Sequence, residues 1–106
     1  MNAVERIYEL AHRCYHECLS LQGSAADDAC RRLQHLRDVI RAGNGDPNPA
    51  VLARVASAAA GAAMIAALVG TQEEDRRDRA WRAAGALVEA SNGLASLEDK
   101  ILSLGW

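Results

Sequence analysis

Apolar positions recur along this chain at intervals of three and four, and nowhere at a sustained interval of two. In the first segment they fall at Val4, Ile7, Tyr8, Ala11, Cys14, Tyr15, Cys18 and Leu19, with Glu5, Glu9, His12, Arg13, His16 and Ser20 on the other side. That spacing gives one apolar and one polar helix face. Asn2 with Glu5 three residues on forms a capping box at its start, and Gly23 ends it. Ser24 caps a second helix, with Asp27 and Asp28 in the first turn, where the helix dipole favours negative charge. Its apolar stripe is Ala26, Ala29, Cys30, Leu33, Leu36 and Ile40, and Gly43 stops it. The short link between the two predicts an antiparallel hairpin.

Gly43 to Pro49 is the longest non-helical stretch the pattern allows. Asn48 as N-cap and Pro49 at the first helical position start a third helix, which runs to about Val69 and stops at Gly70. Thr71 and Glu74 form a second capping box. The fourth helix opens with wholly polar turns, Gln72 to Arg79, in which Glu73–Arg77 and Asp75–Arg79 stand at the i,i+4 spacing of ion pairs. Ala80, Trp81, Ala84, Leu87, Val88 and Ser91 then define a face. At Asn92-Gly93 that face rotates to Leu94, Leu97, Ile101 and Leu104, which predicts a break into a short fifth helix. The expected architecture is therefore a single all-α domain over residues 1–106, a compact helical bundle of four main helices plus a short C-terminal helix.

Composition sharpens this picture in one respect. The chain has no Phe, and Ala dominates between residues 50 and 70, so the core depends on close helix approach and the stability should be modest. Val55 to Gly70 is an uncharged run, shorter than the ~20 residues of a membrane span, so a central helix buried nearly all round is expected rather than a membrane segment. Any part of it left uncovered is a candidate dimer or partner surface.

The formal charge of −2 comes without a concentrated basic face, which argues against direct nucleic-acid binding. Glu73, Glu74, Asp75 and Asp78 alternate with Arg76, Arg77 and Arg79, the pattern of a solvated, salt-laced helix start rather than a mimic of DNA phosphate. Cys14, Cys18 and Cys30 are an odd number without scaffold spacing, and the N-terminus is patterned as a helix rather than as a secretion signal. Both features suggest a reducing cytoplasm.

Few residues offer chemistry. His12 and His16 stand at i,i+4, and Glu9-x-x-His12 is half of the pattern that di-metal carboxylate bundles use. No second half occurs, and all three residues lie off the apolar stripe, so solvated polar side chains are the expectation. Cys18 and Cys30 reach similar heights in the hairpin and could be neighbours, as small buried hydrophobes. No nucleophile stands beside a base that a third group orients, and no phosphate loop occurs. An enzyme, a cofactor and a resident metal are accordingly not expected.

In overall look (about a hundred residues, helical throughout, near-neutral to acidic, reduced cysteines, no catalytic constellation) the chain resembles the small phage-encoded anti-CRISPR proteins that inhibit type I systems. The resemblance spans the whole chain but rests on no shared motif, so it carries over no individual residue. It implies a non-enzymatic inhibitor that occupies a surface on a CRISPR effector subunit or its recruited nuclease, as a monomer or homodimer.

Contact residues should be exposed and able to anchor. Tyr8 and Tyr15 look core-facing. Trp81 beside the Arg-rich turn with Arg77, and Trp106 at the C-terminus, fit better, since Trp and Arg are enriched at hot spots. Arg31, Arg32 and Arg37 on the second helix form another patch. Two alternatives remain open: a self-associating structural or chaperone module, and a metal-binding bundle using Glu9, His12 and His16.

Overall fold

In a computed structural model, which describes residues 3–42, 48–69 and 71–103, the chain folds as four helices, with no strand among the described residues. They are α1 (Ala3–Leu19), α2 (Ser24–Ala42), α3 (Pro49–Val69) and α4 (Glu74–Ser103). Each packs on the next, and α4 closes the bundle against α1. The pairing is up-and-down: Arg41 near the end of α2 reaches Tyr8 near the start of α1, and Arg79 near the start of α4 reaches Glu17 near the end of α1.

Local chemistry sets the helix ends. Asn48 caps α3 as expected, its Oδ1 accepting from the Ala50 amide at 2.9 Å, with Pro49 following in the first turn. Gly23 has φ 112°, the left-handed region that disfavours a side chain. Its carbonyl accepts from the Asp27 amide, so α2 is capped one residue ahead of Ser24. The capping box expected of Thr71 and Glu74 does not form. Thr71 Oγ1 accepts from the Glu73 amide at 3.2 Å, and the Glu73 carbonyl takes the first helical bond from Arg77. The turn thus uses Thr71, and the helix proper begins at Glu74. The expected caps and stops at Asn2, Gly43 and Gly70 lie outside the described residues.

The described residues contain no fifth helix, because α4 continues through Asn92-Gly93 to Ser103. A helical glycine costs about 1 kcal/mol relative to alanine, which weakens a helix without ending it. On the turn before it, the buried Ser91 hydroxyl donates back to the Leu87 carbonyl at 2.7 Å and so satisfies itself within the helix.

The core is the expected mixture of few large residues and many small ones. Ile7, Leu10, Leu33, Leu36, Leu52 and Leu87 are buried among the alanines of α3, Ala80 and Ala84 of α4, and Cys14 and Cys18. Leu10, left out of the expected stripe, is buried, whereas Leu19 at the helix end is exposed. The main departure is α3. It is long and apolar enough to cross a membrane by length and composition, but only half of it is covered by the bundle. Ala56, Ala59, Ala60, Ala63 and Ala66 face inward, while Val51, Ile65, Leu68 and Val69 face out. Small residues admit the close packing of α2 and α4 along most of the inward face, Leu52 is buried near its start, and Val51, Ile65, Leu68 and Val69 are left outside.

Candidate functional site

The outward side of α3 and the adjoining edge of α4 form the most apolar exposed surface of the described residues. Ile65, Leu68 and Val69 are 58%, 62% and 74% exposed, and Trp81 on α4 is 45% exposed. Trp81 is therefore a surface residue, although it falls in the apolar stripe read from sequence. Isolated exposed apolar residues are ordinary, but these are contiguous. Ala67, Leu68, Trp81, Glu74, Arg77 and Asp78 together line a cleft of about 240 Å³. It has an apolar floor and a charged rim, the arrangement expected where an anchor side chain inserts. Farther along the same seam Gly85 meets Met64 Cε at 4.0 Å from where a Cβ would stand.

The predicted contact residues fare unequally. Arg77 joins Trp81 in this cleft. Arg31 and Arg32 are exposed on α2, with Arg32 paired to Asp28 at 3.0 Å. Arg37 leaves that patch: it folds inward, its guanidinium carbon 5.1 Å from the Tyr15 ring centre and 5.9 Å from that of Tyr8. The stacking explains why both tyrosines are half-buried rather than fully in the core. Arg37 also donates to Gln34 Oε1 at 3.2 Å, while its Nε is buried without a hydrogen-bond partner. Arg41 donates to the Tyr8 hydroxyl at 2.7 Å, and that bond, with Arg37 beside it, lowers the Tyr8 phenol below its ordinary range. Trp106 lies outside the described residues. The ion pairs in the first turns of α4 also differ from expectation: Arg76 pairs with Glu73 at 2.8 Å, and Arg79 crosses to Glu17 of α1 at 3.3 Å. The Arg79–Glu17 pair ties α4 to α1, while the exposed Arg76–Glu73 pair is local to the start of α4 and contributes little stability.

His12 and His16 do meet, Nε2 to Nε2 at 3.2 Å, with their rings edge to face. Glu9 does not join them; it pairs with Arg13 at 3.6 Å. Among the described residues no group of three or more metal-ligating side chains converges. Instead the two imidazoles border a groove of about 410 Å³ between α1 and α4, with Arg13, Arg79 and Arg82 around it. Glu17 also borders the groove but is paired with Arg79, so the imidazoles meet no third ligand there among the described residues. Desolvation by neighbouring groups, then the charges of His16, Arg37 and Arg41, depress the pKa of the exposed His12 below its ordinary 6.5. The folded state thus binds this proton less readily than the unfolded state, so stability should decline as pH falls through 6.5 toward the lower folded value. An NMR titration should find His12 below 6.5; a value at or above it would show that the pair tolerates two charges.

The cysteines form a closed cluster. Cys14 and Cys18 are fully buried and Cys30 lies half-buried near them, lining one recess with Cys18 as the hairpin heights suggested. Cys14, donating its proton to the Cys18 sulfur and removed from water, is held far above the ordinary thiol range. Burial likewise raises Cys30. The same hydrogen bond from Cys14 lowers Cys18, with burial opposing it, while Cys14 and Cys30, held protonated, serve as packing groups.

Sequence reasoning missed Val51, Ile65, Leu68 and Val69 as surface residues. A partial signal was present, since Val51, Ile65, Leu68 and Val69 fall on one side of the wheel opposite the inward alanines, but Leu52 sits among those alanines and blurs it. Compared with known proteins, the chain matches no family model, no curated protein and no solved structure.

Proposed function

We propose that this chain is a non-enzymatic protein-binding module whose working surface is the exposed face of α3 with the Trp81 cleft. One observation supports this reading above the others: a contiguous apolar surface from Ile65 through Leu68 and Val69 to Trp81, rimmed by Glu74, Arg77 and Asp78. Leaving such a surface in water is unfavourable by roughly 25 cal/mol per Å² of apolar area, which a partner would recover. Among the described residues neither the histidine groove nor the cysteine cluster gathers three or more metal-ligating His, Cys, Asp or Glu side chains of the kind a metal site uses.

The resemblance to anti-CRISPR inhibitors supplies the narrower proposal, inhibition of a type I CRISPR effector in the cytoplasm by occupying one of its subunits or its recruited nuclease. A rigid helical bundle presenting one patch suffices for that role. The test is capture from lysate of a host with active type I immunity, using the full chain and its Leu68→Glu and Trp81→Ala variants. Effector subunits or the nuclease should be recovered with the parent chain, and each substitution should reduce recovery by about tenfold or more. Equal recovery by all three proteins would place the contact elsewhere, and capture of neither target would remove the inhibitor role.

A further inference from the structure

We infer that the exposed face of α3 is a homodimer interface, in which α3 of a second copy lies antiparallel across it; this rests on the reading of that face as a protein-binding surface. Along the face the residues Val51, Arg54, Ala58, Gly61, Ile65 and Leu68 follow one another at alternating steps of three and four. That is the seam spacing of helices packed at a shallow angle. It is also self-complementary. In a single antiparallel register Val51 faces the second copy's Leu68, Arg54 faces its Ile65, and Ala58 faces its Gly61, so the same contacts occur twice about a twofold axis. The small residues meet at the centre, where the helix axes must come closest. A Cβ built at Gly61 finds nothing within 4 Å, so that space is open in the single chain. The large side chains lie at the two ends, over the ~26 Å between Val51 and Leu68.

Charge fixes the partner as a second copy. Arg54 is the one charged residue of α3, is exposed, and has no ion pair among the described residues. Helical side chains lean toward their own N-terminus, which in this register carries each Arg54 toward the other copy's Leu68 and Trp81. The cleft there holds Glu74 and Asp78 against Arg77, an excess of one negative charge, and neither carboxylate is paired among the described residues. Arg54 supplies the missing positive charge and a guanidinium to stack on Trp81. The arrangement answers itself twice, once at each end. Because it covers the face proposed above for a target, a second copy and a target would compete for it, and the outward side of α2, with Arg31 and Arg32, stays free in both copies.

The test is the mass of the full chain in solution by sedimentation across a concentration series, with no other protein present. The parent chain should pass from 11.3 kDa to twice that mass as concentration rises. Gly61→Leu, whose side chain enters open space in the single chain, should keep its helical spectrum and stay at the lower mass. Arg54→Glu and Asp78→Arg should each weaken dimerisation by about tenfold, and the two together should restore it, because the pair is reversed rather than removed. A parent chain that stays at 11.3 kDa at every concentration overturns the proposal, whether or not it sediments with phosphatidylcholine vesicles. A dimer that Gly61→Leu leaves intact overturns it too, since another face would then be in use. Loss of effector capture alone, with dimerisation intact, would count against the inhibitor role and not against this interface.

Discussion

Leu33→Ala is expected to lower the unfolding free energy by about 3–5 kcal/mol, toward the upper end of the range for such truncations. Leu33 is fully buried in α2 and belongs to the one core cluster that joins all four helices. The cost of deleting a buried isobutyl group depends on how far the surroundings relax into the space. Here much of the neighbouring core is alanine and cysteine, side chains too short to swing into a void. The cavity should therefore persist, with its transfer and packing losses both retained. Domains of this size are stable by about 5–15 kcal/mol, so the variant should lose a large share of its cooperative transition. Urea unfolding followed by circular dichroism would measure it, with a reduced midpoint at an unchanged slope. A loss below about 1 kcal/mol would mean that the helices close over the gap and that the core is looser than its packing implies.

The fold was legible in the sequence wherever apolar spacing and capping chemistry agreed. Asn48-Pro49 marked the start of α3, and of the stripe Ala26, Ala29, Cys30, Leu33, Leu36 and Ile40 all are buried as read except the half-buried Cys30. Reading failed where a local signal had to compete with packing. Asn92-Gly93 resembles a break, but one glycine cannot end a helix whose preceding turns are already anchored through Leu87 and Ser91. Thr71 and Glu74 fit a capping box, but the turn bond from Glu73 uses the hydroxyl first.

The candidate site was harder to read for a different reason. Hydrophobic patterning assumes that large apolar residues point inward, and α3 inverts the assumption. Along most of its inward face alanine is the residue that fits, with Leu52 the one large side chain fully buried near its start, and Ile65, Leu68 and Val69 stand on the outside. Trp81, read both as part of the apolar face of α4 and as an exposed anchor, stands on the surface beside that set across the α3–α4 seam. Arg37 shows the opposite error: a charge read as surface patch folds over Tyr8 and Tyr15, where its hydrocarbon stem and planar head both find contacts. Sequence spacing assigns residues to faces, but only the identity of the opposing helix decides which face is inside.

That inversion predicts opposite effects for two substitutions of similar chemistry, two residues apart on α3. Ala63 is fully buried, and Ala63→Leu adds three heavy atoms where α3 is packed by its neighbours. The surrounding alanines have no rotamers to yield, so the helices must part, at an expected cost of about 1–3 kcal/mol or more. Gly61→Ala places a methyl where nothing lies within 4 Å, in ordinary helical backbone, and should raise stability by roughly 0.4–1 kcal/mol by restricting the unfolded chain. A methyl at the same point still permits close helix approach, so the comparison should be made at concentrations low enough to keep the chain monomeric. If Ala63→Leu were neutral, the inward face of α3 would have room to spare, and the crowding that expels Ile65 and Leu68 would lose its basis. If both signs hold, the outward position of those side chains follows from the closeness of α2 and α4, and the sticky surface is a consequence of how the core is built.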